Sequence, residues 1–106
     1  MTTTAREQAA ETCLYEAVTA QNYARAAIDA MQRGLTRDAI RCIDIARGIS
    51  HNAIREHEAL CDLIDATGDT FTEDELTALG EAEKAVQAVL TAARTIAATN
   101  AAKLTA

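Results

Sequence analysis

Gly68-Asp69-Thr70-Phe71-Thr72-Glu73-Asp74-Glu75 is the stretch that decides the fold. Glycine just past a helix takes the left-handed conformation that ends it. Thr72 followed three residues later by Glu75 is a capping box, each side chain accepting a hydrogen bond from the other residue's backbone N–H. Glu73, Asp74 and Glu75 suit the positive end of a helix dipole. Phe71, just ahead of the cap, is placed to staple onto Leu76. One helix therefore stops near Gly68 and the next starts beside Thr72.

Upstream, Gly34 follows Arg33 and precedes Leu35-Thr36-Arg37-Asp38, a second stop with Thr36 as the next cap. These signals give three segments, 4–33, 36–66 and 73–103. Each is about 30 residues and roughly 45 Å long if continuous, and turns this short force antiparallel neighbours. The 106 residues include no proline, no tryptophan, one phenylalanine and two tyrosines, and the 49% hydrophobic share is mostly alanine. A β-sandwich needs β-branched and aromatic residues with frequent turn signals. The expected fold is all-α, an antiparallel bundle of three long helices in one domain spanning 1–106. Breaks at Thr19-Ala20-Gln21-Asn22 and Gly48-Ile49-Ser50-His51-Asn52 would divide it into four or five helices.

The apolar spacing agrees. The last segment carries Leu76, Leu79, Val86, Leu90, Ala93, Ala97, Ala101 and Leu104, interrupted by Glu83. Beside this row runs a second, Ala82, Ala85, Val89, Ala92 and Ile96. Two stripes mean one helix facing two neighbours. The other segments repeat the pattern with many alanines, which allow close approach but contribute little apolar area. Self-association is expected to complete so thin a core. Tyr23, Ala27, Gly34, Ala39, Ile40, Ile43 and Ala46 are spaced similarly to a tetratricopeptide-type hairpin. The next period puts Glu73 where alanine should fall, so the stretch reads as small-residue hairpin packing and not as membership of that family.

Charge is unevenly laid out. The net charge is −6. Residues 56–83 hold ten acids and no Lys or Arg, whereas residues 33–55 hold five arginines against Asp38 and Asp44. Folded up-down-up, the chain becomes a rod with an acidic pole at Asp62, Asp65, Asp69, Glu73, Asp74 and Glu75 and a basic pole at the other tip. Arg33, Arg37 and Arg41 form a basic stripe at helical spacing, able to pair with Asp29, Asp38 and Asp44. The acidic balance argues against direct nucleic-acid binding. No apolar run approaches the roughly 20 residues that cross a bilayer. The start of the chain lacks secretory-signal features, and three widely spaced cysteines make no disulfide framework, so a cytoplasmic protein with reduced thiols is expected.

Candidate chemistry is sparse. His57 and Cys61 are four apart on one helix face, and hairpin arithmetic brings Cys13 and Glu83 toward them as a zinc-like set. Carboxylate-bridged iron sites need Glu-x-x-His, which neither His51 nor His57 satisfies. His51 sits mid-bundle as in phosphotransfer domains but lacks their flanking residues. Tyr15 and Tyr23 are candidate interface anchors or caps on the alanine seam. No nucleophile arrangement or phosphate-cradling loop is present, so no enzyme activity and no cofactor are expected. The expected function is a self-associating helical adaptor or structural protein. The alternative is a small acidic inhibitor whose acidic pole blocks a basic, nucleic-acid-binding groove on its target. A metal-binding or phosphotransfer bundle is the minor alternative.

Overall fold

The computed structural model describes residues 4–105. Helix α1 spans Ala5–Gln32, α2 spans Thr36–Thr67 and α3 spans Glu73–Thr105. They form an up-down-up bundle about 57 Å long and 24 by 18 Å across.

Local chemistry sets the ends. Thr4 caps α1, its hydroxyl accepting from the Glu7 N–H at 3.1 Å. At the first turn, Gly34 takes φ +79° and the Leu35 N–H reaches back to the Ala30 carbonyl at 2.8 Å. Thr36 lies inside α2, so Leu35 stands at the cap position without a side-chain bond, contrary to the expected Thr36 cap. Gly68 ends α2 at φ +71°. The capping box closes as read: the Glu75 N–H donates to Thr72 Oγ1 at 3.2 Å and the Thr72 N–H to Glu75 Oε1 at 2.8 Å. Phe71 packs against the core while Leu76 is 55% exposed, so the staple gives way to tertiary packing.

The three helices are continuous, as the antiparallel three-helix reading expects, and neither alternative break occurs; α1 runs through Thr19–Asn22 and α2 through Gly48. An interior glycine costs about 1 kcal/mol, less than the packing lost if Ala46, Ser50 and Ala53 left the seam around it.

Each helix buries a row at 3-4 spacing: Ala10, Cys13, Ala17, Ala20, Ala24 and Ala27 on α1, Ala39, Ile43, Ala46, Ser50 and Ala53 on α2, and Ala78, Ala82, Ala85, Val89, Ala92 and Ile96 on α3. This is the spacing at which side chains of adjacent helices interlock layer by layer. Leu60 and Cys13 are the largest fully buried side chains. Helix α1 is central: α2 and α3 each pack along it and meet each other far less. Of the two rows on α3, the alanine-rich one is buried. The leucine row lies about a quarter-turn round the helix and stays half in solvent.

Two glycines separate conformational need from happenstance. A Cβ at Gly48 meets nothing within 4 Å, whereas Gly68 needs a positive φ. Gly48→Ala should stabilise by about 0.5–1 kcal/mol and Gly68→Ala should destabilise by about 1–2 kcal/mol. Thermal and urea unfolding followed by circular dichroism, at matched concentration, measures both.

Candidate functional site

The acidic end is built on an ion pair that continues the seam. Arg6 lies four residues before Ala10, and Glu75 three before Ala78, so both extend the buried rows by one layer. Arg6 Nε donates to Glu75 Oε2 at 2.7 Å and Nη2 to Oε1 at 2.6 Å. Arg6 also reaches Asp69 at 3.0 Å and the Thr70 carbonyl at 2.9 Å. The loop after α2 is thereby tied to the start of α1. Glu75, counted with the acidic pole from sequence, is only 3% exposed and already neutralised. It is a structural anchor, and the pole consists of the exposed Asp62, Asp65, Asp69, Glu73 and Asp74 with Glu7 and Glu11 from α1. An open groove of about 950 Å³ runs beside them, floored by Ala10, Leu14 and Leu63 and rimmed by Glu7, Glu11 and Asp74.

Arg33 pairs with Asp29 at 3.6 Å, and Arg37 and Arg41 extend the exposed basic stripe along α2. Tyr15 is 73% exposed and Tyr23 is partly exposed, so neither seals the alanine seam.

The proposed metal set does not assemble. Cys13 is buried, its thiol 3.6 Å from the carbonyl oxygens of Ala53 on α2 and Ala78 on α3. Cys61 Sγ and His57 Nδ1 stand 3.8 Å apart at the bundle edge, while Glu83 faces solvent. Among the described residues, no three His, Cys, Asp or Glu side chains are grouped to hold a metal ion. The sequence arithmetic set His57 opposite Cys13; the actual register puts Ala53 there. Burial, then the charges of Glu16, Glu56 and Cys61, pushes the Cys13 thiol up to about 11. His51 is exposed beside Gly48 on the outer face of α2.

Two carboxylates depart from the ordinary range in opposite directions. The Arg6 guanidinium, outweighing burial and helped by Thr72, holds Glu75 down at about 2. Burial, then the nearby Glu56 charge, raises Glu16, whose Oε2 is buried with no hydrogen-bond partner among the described residues. Glu81 is lowered by the Gln21 amide and then by Lys84, and it fastens α3 to α1 a second time.

No family model matches the chain, and no curated protein or solved structure is significantly similar to it. Among the described residues, no helix is long and apolar enough to cross a membrane.

Glu75 makes acid stability testable. Its folded value is depressed, so its contribution is complete above the unfolded carboxyl value near 4.3 and fades as pH falls toward about 2. Glu81 acts in the same sense, whereas raised Glu16 acts in the opposite one. Urea midpoints should fall for the wild type between about pH 4.5 and 2. Glu75→Gln should be less stable at pH 7 and lose part of that acid slope. An identical slope in the variant would remove the ion pair from the account.

Proposed function

We propose that this chain is a non-enzymatic protein–protein interaction module, a helical structural or adaptor protein that works as a homo-oligomer. The observation that carries the reading is the outer row of α3, with Leu76 55%, Leu90 43% and Leu104 87% exposed in register along one helix. Single exposed leucines are ordinary. These leucines recur every fourteen residues with half-buried Leu79 and Val86 between them, and an apolar row running the length of a helix is a surface that a partner helix can bury. The monomer also leaves its core thin, because α1 offers mainly alanine to both neighbours. Reduced thiols suit this reading, the three cysteines being free in the fold, and with them a cytoplasmic setting. Sedimentation velocity from 1 to 100 μM should show mass rising with concentration; a monomer throughout would overturn the proposal.

A second reading has its own observation, the apolar-floored groove with a carboxylate rim at the acidic pole. It suits a protein partner with a basic surface, including one whose groove otherwise holds nucleic acid, because carboxylate rows stand in for phosphates. Complementary charge acts mainly on association rate and orientation. Lysine replacements at the rim residues Glu7, Glu11 and Asp74 together with Asp62 should cut capture of such a partner from host extract at least tenfold while helicity is retained. Unchanged capture by the variant would discard this reading.

A further inference from the structure

The geometry points to a specific partner and orientation for the outer face of α3: the same face of a second copy, laid antiparallel about a two-fold axis near Leu90. This inference rests on the self-association proposed above and adds which surface pairs and in which direction.

Charge along α3 fixes the direction. Residues 73–83 carry five acids and no base, and residues 84–103 carry three bases and no acid. Glu75 is committed to Arg6, and Glu81 pairs with Lys84 at 3.1 Å, which leaves Glu73, Asp74 and Glu83 against Arg94 and Lys103. A parallel pair would stack acidic half on acidic half. An antiparallel pair sets each acidic half beside a basic half, and like charges facing each other strongly disfavour the wrong orientation. The rest of the molecule agrees. Asp62 and Asp65 share the end where α3 begins, while Arg33 and Arg37 lie at the first turn, by the far end. Reversing the second copy brings opposite poles together along the whole rod.

The apolar row allows it. Leu76 and Leu104 flank Leu90 by equal counts of fourteen residues, so a two-fold near Leu90 places each terminal leucine beside the other kind. An isologous pair of this sort closes at two copies. End-on contact of acidic pole with basic pole would instead repeat without closing and give filaments.

Cysteine cross-linking reads the arrangement directly. In a Cys42→Ser, Cys61→Ser background, Leu90→Cys should cross-link to a covalent dimer on oxidation or with a short bismaleimide. Leu76→Cys should not, because its two copies would stand roughly 40 Å apart at 1.5 Å per residue, far beyond disulfide reach. Sedimentation of Leu90→Glu should show at least tenfold weaker association with unchanged helicity, while Tyr15→Ala should associate as the wild type does. Raising salt from 0.05 to 0.5 M should also weaken the wild-type dimer several-fold. Cross-linking at both positions would show a parallel pair and overturn the inference. A wild-type dimer with no cross-link at Leu90, or one lost in Tyr15→Ala, would overturn the inference but leave self-association standing. A wild type that stays monomeric would overturn both.

Discussion

Everything in this bundle depends on how closely α1 can be approached from two sides. Its buried row is alanine apart from Cys13 and Met31. Alanine lets neighbouring helix axes come to the short end of the usual 8–10 Å range, roughly 8 Å. It also loses no rotamer entropy on burial. Backbone-to-backbone dispersion then replaces the interdigitation of large side chains. The arrangement has a cost in apolar area, since a methyl removes far less surface from water than an isobutyl group. Stability must therefore accumulate over many thin layers, and helices of 28, 32 and 33 residues supply them.

A smooth alanine surface is also tolerant of sliding, so register has to come from elsewhere. Arg6 and Glu75 provide it between α1 and α3. If α3 moved by one turn, a nearly buried carboxylate would lie against Ala10 or the loop without its guanidinium. Leaving one member of such a pair unmatched costs far more than the pair itself contributes. Glu75 simultaneously accepts from the Thr72 N–H, so one side chain caps its own helix and aligns it on another. Gln21 on Glu81 repeats the alignment further along, at 2.8 Å. These polar bonds contribute little net stability, and their main effect is to select one register among many of similar packing.

That division explains what could be read from the sequence. Helix ends were legible because capping is local: Gly34, Gly68 and the Thr72–Glu75 box each act within a few residues. The antiparallel path followed from turns too short for anything else. Sequence did not show which α3 row would be buried, because the leucine row is the more hydrophobic and its exposure follows from α1's preference for small partners. The Arg6–Glu75 pair joins residues 69 apart in the chain, and no local rule connects them. Its one signal was a pair of charges at seam positions, four before Ala10 and three before Ala78. The Cys13, His57, Cys61 and Glu83 set failed on the same ground. Ala53 stands where His57 was expected, and Glu83 belongs to the α3 row that faces solvent while Ala82 and Ala85 face the core.

The charge polarity is costly to the single rod. Many carboxylates crowd one tip, where among the described residues Arg6 is the one cation paired with them, and Glu16 sits raised beside Glu56 with an oxygen that has no partner among those residues. Like charges at such spacing repel through water and more strongly near a low-dielectric surface. The α3 dipole offsets some of this for Glu73 and Asp74 only, since its effect fades within a turn. Within the rod Lys84 answers Glu81, whereas Arg33, Arg37 and Lys103 lie toward the opposite end of a 57 Å molecule, several screening lengths from Asp62, Asp65, Glu73 and Asp74. A partner with opposite charge at that tip would relieve the remaining repulsion. A rod whose charge reverses from end to end, with leucines along one flank, carries both the attraction and the apolar surface needed to bring in its own inverted copy.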